Sequence, residues 1–154
     1  MTGRPVTMDA SFQLIHCSWQ DSSELLSSIR RIVFIEEQQV PKELELDELD
    51  PVCHHVLVTD VDNKPVATGR IDSDGRIGRM AVLKEYRGQG IGSALLVALL
   101  DYAGQKQYPG VHLHAQVTAI PFYEKHGFMA DGEKFMDAGI PHRNMVLKPV
   151  NKTS

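Results

Sequence analysis

The chain has 154 residues, with 16 lysines and arginines against 20 aspartates and glutamates and a formal net charge of −4. The length suits one domain, and 42% hydrophobic with 23% charged residues excludes disorder or a coiled coil as a description of the whole. The mild acidity argues against nucleic-acid binding, and no apolar run approaches the roughly 20 residues of a membrane span. Cys17 and Cys53 form no disulfide framework and have no metal-like spacing, so a reducing cytoplasmic setting is expected.

In the first third of the chain the pattern predicts a lead-in, a strand and a helix. Residues 1–11 are expected to be a flexible lead-in without the apolar core of a signal peptide, and residues 12–150 a single domain. A strand is expected at 12–17. Asp21 and Glu24 then have the spacing of a helix capping box, and apolar residues three or four apart predict an amphipathic helix that Pro41 ends. The acidic stretch 42–50 is expected to be a loop or a short turn of helix.

The rest of the chain alternates between strand and helix patterns. Strands are expected at 55–59 and 66–71 (joined by a turn at 62–63), 77–83, 111–115, 129–135 and 143–147, and helices at 91–102 and 121–126. Helices do not alternate with every strand, so the fold class is α/β or α+β with a mixed sheet. The strand–helix–strand unit at 77–115 predicts one parallel pair, because such crossovers are right-handed.

A glycine-rich loop with the sequence RGQGIG lies between the strand at 77–83 and the following helix. Glycines allow the backbone N–H groups to approach a ligand, and the start of a helix favours an anion. Arg87 at the entry, with Arg79 and Lys84 close in sequence, indicates a basic end for a phosphate. The loop lacks the lysine of a Walker motif, and Ser93 replaces the third glycine of a dinucleotide fingerprint. A plain glycine-rich turn and another nucleotide site remain open.

Two motifs in order carry a resemblance to a family. Arg87-x-x-Gly90-x-Gly92 resembles the acetyl-coenzyme A loop of the GNAT N-acetyltransferases, and the stretch from Ala119 to Phe128, AIPFYEKHGF, resembles the second hallmark of that family. The resemblance covers roughly residues 12–147. It implies a GNAT fold: a mixed, mainly antiparallel central sheet flanked by helices, with a splayed parallel strand pair. The segment AGIPH at 138–142 is similar to a small branch of the family whose members often have no assigned substrate.

The resemblance implies where acetyl-coenzyme A would bind. The pyrophosphate is assigned to the loop amides of Arg87, Gly88, Gln89, Gly90, Ile91, Gly92 and Ser93. Backbone groups of Met80, Ala81 and Val82 are assigned to the pantetheine arm and the thioester, and no metal is implied. Tyr123 is the implied general acid for the leaving thiolate, because a phenol of pKa about 10 holds its proton at neutral pH. The alternative for Tyr123 is a core tyrosine beside Phe122 and Phe128.

The acceptor side has no motif. Glu37, at the end of the first helix, is the candidate base, and the acidic stretch 42–50 either attracts an amine or is a solvated loop. His112 and His114 share a strand face, but two ligands do not make a metal site. The expected function is acetyl transfer from acetyl-coenzyme A to a primary amine of a small molecule or peptide by direct attack, by a cytoplasmic enzyme that forms a homodimer and uses no nucleic acid or membrane. The alternative is a catalytically silent module that binds acyl-coenzyme A.

Overall fold

The structure is a computed structural model, and it describes residues 11–45 and 47–147. The expected lead-in at 1–11 lies outside this range except for Ser11, and so does the predicted domain end at residue 150. The described residues form one mixed sheet with helices on both faces. No helix among them is long and apolar enough to cross a membrane.

Within the described residues, seven strands form the sheet in the spatial order β1-β2-β3-β4-β5-β7-β6. All neighbours are antiparallel except β4 and β5, which are parallel. This arrangement confirms the predicted mixed sheet and its parallel pair. The strands are β1 Gln13–Cys17, β2 His54–Thr59, β3 Pro65–Ile71, β4 Arg76–Val82, β5 Val111–Gln116, β6 Met129–Asp137 and β7 Ile140–Leu147.

Within residues 11–45 and 47–147, four α-helices and several short helical turns connect the strands. The helices are α1 Trp19–Arg30, α2 Lys42–Glu45, α3 Ile91–Gln105 and α4 Ile120–Glu124. Single 3-10 turns lie at Asp50–Val52, Lys84–Tyr86 and Val117–Ala119. A seven-residue π-helical segment, Arg31–Glu37, continues directly from α1.

Both ends of the first helical region differ from the sequence-based expectation. The capping residue is Ser18, whose hydroxyl accepts from the backbone N–H of Asp21 at 3.2 Å, so the predicted Asp21–Glu24 box is wrong. The earlier start is stabilised because Trp19 packs against His55 and lies beneath the Arg30 guanidinium. The π-helical segment ends at Glu37, before Pro41, which disfavours helical backbone at the residue preceding it.

The last hairpin is longer than predicted because its turn is tight. Ala138 and Gly139, with φ of 54° and 78°, form a two-residue turn between β6 and β7. Positive φ at both central residues is the geometry that matches the twist of a hairpin. The strands therefore extend to Asp137 and from Ile140, which brings the residues beside this turn into the sheet.

Helices cover both faces of the central strands. Residues 66–71 of β3 are buried in succession, although successive side chains point to opposite faces. Both α1 and α3 contact β3, so the core lies on both sides of the sheet. Its largest fully buried apolar side chains are Leu26, Ile29, Ile71, Ile77, Ile91, Leu95, Leu96, Leu99, Leu113 and Met145.

The parallel strands β4 and β5 separate after a short contact. They pair only at Arg76 with His112 and at Ile77 with Leu113, although both strands continue beyond these residues. Arg79 follows with φ of 53°, where the β3–β4 register shifts. A bulge of this kind bends a strand. The separation opens a gap in the sheet, and this gap positions the candidate site.

Candidate functional site

The gap between β4 and β5 opens into a cleft of about 450 Å³, and β4 forms one of its walls. Within the described residues, β4 pairs with β3 along one edge, and its other edge has no partner strand after Ile77. Met80, Ala81 and Val82 all line the cleft. Their peptide groups can bind an extended ligand there as a neighbouring strand would, which is how open strand edges recognise ligands.

The glycine loop lies beyond the end of β4, at the start of α3. Gly88 and Gly90 have φ of 78° and 84°, and a Cβ placed at Gly88 would meet nothing within 4 Å. A second hollow of about 280 Å³ adjoins the loop, lined by Val82, Tyr86, Arg87, Gly88, Gly90, Gly92, Ser93 and Phe122. The backbone therefore borders open space large enough for a ligand.

The N-terminus of α3 is prepared for an anion. Gly90 is its N-cap, has no side chain to accept from the first turn, and is followed by no acidic residue in that turn. The N–H groups of Ile91, Gly92 and Ser93 precede the first intrahelical bond, which runs from the Ala94 N–H to the Gly90 carbonyl at 3.1 Å. Unsatisfied N–H groups and the helix dipole together favour a phosphate.

Tyr123, on α4, lines the same cleft across from β4. Its hydroxyl lies 3.7 Å from Sδ of Met80, and its ring packs edge-on against Phe122 and Phe128. Burial raises the pKa of Tyr123 to about 12. The phenol therefore keeps its proton at neutral pH beside the strand that was predicted to hold the thioester.

The side chain of Arg87 is held by other residues and is not free to reach a ligand at the loop. Its guanidinium donates to both carboxylate oxygens of Glu37, at 2.8 and 2.7 Å, and its Nε donates to the Val82 carbonyl at 2.9 Å. The hydrogen bond from Arg87 lowers the pKa of Glu37, against a smaller opposing effect of burial. Glu37 is thus a weaker base than an isolated carboxylate, and its carboxylate is paired with the arginine at the entry of the glycine loop.

Three carboxylates of the acidic stretch 42–50 are held in ion pairs, which neither sequence-based alternative predicted, whereas Glu43 and Glu48 are exposed. Glu45 and Asp50 are buried and bind the buried Arg30 at 2.5 and 2.8 Å. Arg70 binds Asp47 at 2.7 Å and Asp50 at 2.6 Å. Burial alone would raise the pKa of Asp47, but Arg70 and Arg79 outweigh it and hold the pKa at about 2. These carboxylates are therefore already paired with arginines.

Arg79 belongs to this network and not to the phosphate loop, which corrects the predicted basic end. It donates to the Glu45 carbonyl at 3.0 Å and to the Asp47 carboxylate at 3.1 Å. A positive φ is strained for arginine, and such strain persists only where the surroundings hold it. The hydrogen bonds from Arg79 to Glu45 and Asp47 stabilise this conformation, so the acidic stretch fixes the bulge of β4.

The cleft also contains residues beyond the predicted cofactor and acid positions. Gln38 accepts from the Gln116 side chain at 2.9 Å and joins the end of the π-helical segment to β5. The wall opposite α2 comes from the β6–β7 hairpin, through Asp137, Ala138, Ile140 and His142, with His114 of β5 beside them. One sequence signal for the network existed: Arg30 shares the apolar face of α1 with Leu26 and Ile29, where a charge needs a buried partner.

No three histidine, cysteine, aspartate or glutamate side chains converge on a metal-sized site within residues 11–45 and 47–147. His112 and His114 share a strand face as expected, but His114 is engaged with Arg76, whose Nη2 lies 2.9 Å from His114 Nδ1. The position of His114 is therefore explained by its contact with Arg76.

A family model described as an acetyltransferase (GNAT) domain matches residues 31–149. The chain belongs to the GNAT acetyltransferase family. Membership confirms the resemblance inferred from the two motifs, and it makes the chain an acyltransferase of a family that uses acetyl-coenzyme A.

Two further GNAT relatives cover most of the chain. The uncharacterized N-acetyltransferase YjcF of Bacillus subtilis is 43% identical over 122 residues, which is 77% of this chain and 86% of YjcF. The structure of an acyl-CoA N-acyltransferase from Pseudomonas aeruginosa superposes with a TM-score of 0.81 at 29% identity, over 89% of this chain and 99% of that one. This similarity confirms the GNAT fold predicted from the motifs.

A more distant structure, from Bacillus anthracis, was solved in complex with acetyl-coenzyme A. It superposes with a TM-score of 0.56 at 22% identity, over 65% of this chain and 64% of that one. At this identity the similarity shows a shared fold.

Proposed function

We propose that this GNAT protein transfers the acetyl group of acetyl-coenzyme A to a primary amine by direct attack. The proposal rests on one continuous surface, in which the unpaired edge of β4 leads from the cleft to the glycine loop and the uncapped start of α3. An acyl-coenzyme A has matching parts in the same order, namely a thioester, an amide-containing arm and a pyrophosphate.

Different residues would contact different parts of the cofactor. The amides of Arg87, Gly88, Gln89, Gly90, Ile91, Gly92 and Ser93 would hold the pyrophosphate. Backbone groups of Met80, Ala81 and Val82 would hold the pantetheine arm and donate to the thioester oxygen as it gains negative charge. The Val82 carbonyl already accepts from Arg87, so Met80 and Ala81 carry more of this contact.

Tyr123 is the proposed acid. As the amine nitrogen bonds to the carbonyl carbon, the carbon–sulfur bond breaks and the sulfur retains the electron pair. A thiol has a pKa of about 8.5, so the departing thiolate benefits from a donor at its side. The Tyr123 hydroxyl is protonated and lies beside Met80, so it can donate a hydrogen bond to the sulfur and then its proton.

The acceptor amine must lose a proton, because an alkyl ammonium has a pKa of about 10. Glu37 stays a prediction as the base, although its ion pair with Arg87 makes it a poor proton acceptor. A small molecule or a peptide as acceptor, a homodimer and a cytoplasmic location also stay predictions.

The test is thiol release from acetyl-coenzyme A over a panel of small amines and amine-bearing peptides, together with calorimetric titration of coenzyme A. We expect coenzyme A to bind and at least one class of amine to be acetylated. Binding without turnover of any amine would replace the proposal with the silent acyl-coenzyme A module. Absence of binding would refute the site itself.

A further inference from the structure

The acceptor half of the cleft contains two histidines whose rings are held in different ways. His114 on β5 packs edge-on against Phe135 of β6, with ring centroids 5.0 Å apart, and Phe135 stacks on His142 of β7 at 5.9 Å. In the sheet, His114 pairs with Asn144 and His142 with Gln116, so the two histidines are diagonal neighbours. Both rings line the cleft.

Their hydrogen bonds fix opposite tautomers. Nδ1 of His142 lies 2.7 Å from the Ile140 carbonyl oxygen, which can only accept, so Nδ1 carries the hydrogen and the neutral ring has its lone pair on Nε2. Nδ1 of His114 lies 2.9 Å from Nη2 of Arg76, which can only donate, so that lone pair is occupied and Nε2 carries the hydrogen. His142 therefore offers a basic nitrogen where His114 offers a donor.

The basic nitrogen of His142 is available. Nε2 has no hydrogen-bond partner among the residues that the structure describes. It is also not sealed in the core, since Thr59 Oγ1 is the one fully buried side-chain polar atom in those residues that lacks a partner. The ring as a whole is buried and clamped by Phe135, which holds it in one orientation.

The other proton acceptors that line the cleft are less suited. Glu45 is buried and bound by Arg30 and Arg79. His114 would have to give up its bond to Arg76 in order to accept a proton at Nδ1. Asp137 is exposed to solvent beside the hairpin turn, unlike the buried ring of His142.

We propose that His142 is the base that takes the proton from the acceptor ammonium, through Nε2. The inference rests on the proposed function, which supplies the acceptor. One N–H bond of the ammonium breaks, its electron pair stays on nitrogen, and the proton bonds to Nε2. The neutral amine then forms the carbon–nitrogen bond as the carbon–sulfur bond of the thioester breaks, and the thiolate takes its proton from Tyr123. The nitrogen then loses its second proton, which restores the Tyr123 phenol.

The charges around His142 act on both the acceptor and the base. Arg76 of β4 lines the same cleft, and its positive charge disfavours an ammonium and an imidazolium alike, whereas the charge of Arg79 is offset by Asp47 and Glu45. The opposing charges on this side are Asp137 of β6 and Glu45 of α2, and Glu45 is neutralised by its arginines. The bond from Nδ1 to the Ile140 carbonyl leaves the lone pair of Nε2 free to accept a proton, as a base must.

The test compares His142→Gln with His112→Gln, which removes an imidazole from the same sheet face but outside the cleft. Once an accepted amine is known, we expect His142→Gln to lower kcat/KM roughly 100-fold, with coenzyme A affinity unchanged. The acidic limb of the wild-type pH profile, which reports protonation of the base, should disappear in that variant and persist in His112→Gln. His142→Asn provides a second variant if the first does not fold.

A readout without turnover uses nitrogen chemical shifts of the histidine rings in the ligand-free protein. We expect the Nδ1–H tautomer for His142 and the Nε2–H tautomer for His114, with signals assigned by their loss in the variants. An Nε2–H tautomer at His142 overturns the proposal. So does an active His142→Gln enzyme with its acidic limb intact, which leaves acetyl transfer itself standing. A wild type that acetylates no amine overturns both.

Discussion

The two halves of the cleft are built in different ways. The cofactor half, from Met80 to Ser93, presents mainly backbone: an unpaired strand edge, two glycines in the left-handed region and an uncapped helix start. The acceptor half presents side chains from the β6–β7 hairpin, β5 and α2, and a buried network of arginines and carboxylates holds the α2 side. Backbone recognition needs few particular residues, whereas the acceptor half depends on which side chains the fold brings together.

The largest effect is expected from breaking the network behind the acceptor half. Asp50→Ala leaves Arg30 and Arg70 buried without their shared carboxylate, and removing one partner of a buried ion pair costs about 3–5 kcal/mol. Urea unfolding should report this loss. The matched Asp62→Ala, on the exposed β2–β3 turn, should change stability by less than about 0.5 kcal/mol. Equal stabilities of the two variants would mean that the network does not hold the wall.

The cofactor half should be most sensitive at Gly90. In Gly90→Val a β-branched residue must adopt φ of 84°, which is strained, so the loop and the amides that follow it are expected to shift. Loss of two phosphate hydrogen bonds corresponds to roughly 100-fold weaker coenzyme A binding by calorimetry. Gly104→Ala, inside α3 with open space around the new methyl group, is the control and should bind normally. Unchanged affinity in Gly90→Val would refute the loop assignment.

Tyr123 lies where the two halves meet. Tyr123→Phe removes the donor to the leaving sulfur while keeping the ring against Phe122 and Phe128. We expect kcat to fall at least about 10-fold with coenzyme A affinity unchanged. Tyr108→Phe, which alters a tyrosine that does not line the cleft, serves as the control for the same chemical change. Full activity would remove Tyr123 from the mechanism.

Acid should loosen the acceptor half first. The folded-state pKa of Asp47 is about 2, below its unfolded value near about 3.9, so the unfolded chain binds more protons between these values. Its contribution to stability is complete above about pH 4 and is lost as the pH falls towards about 2. Amide exchange near about pH 3 should show the segment 42–50 opening before α3. Simultaneous opening would mean that the halves unfold as one unit.

The smallest effect separates two roles of Glu37. Glu37→Gln releases Arg87 from a largely exposed ion pair, so coenzyme A should bind about 2- to 5-fold more tightly while kcat stays within about 2-fold. Glu36→Gln, which loses an exposed contact to Arg31, is the control. A large fall in kcat in Glu37→Gln alone would restore Glu37 as the base.

Sequence patterns reached the cofactor half and most of the fold. Strand and helix periodicity predicted each strand, and the loop motif predicted the start of α3, because both are local in sequence. The Ser18 cap was missed since Asp21 and Glu24 offered an equally regular signal. The network was missed because Asp50 lies 20 residues from each of its partners, Arg30 and Arg70, and no local pattern pairs residues so far apart. The His142 tautomer depends on the hairpin register, which only the fold sets.

The π-helical segment Arg31–Glu37 has a consequence for the evolution of the site. Each α-helical residue turns the chain by about 100°, so the wider π-turn changes where every later side chain points. Glu37 and Gln38, which reach Arg87 and Gln116, owe their direction to that irregularity. Losing a single residue from this segment would redirect both side chains at once, a change that no point substitution can mimic. Relatives that differ in length here are therefore expected to bridge their clefts with different residues.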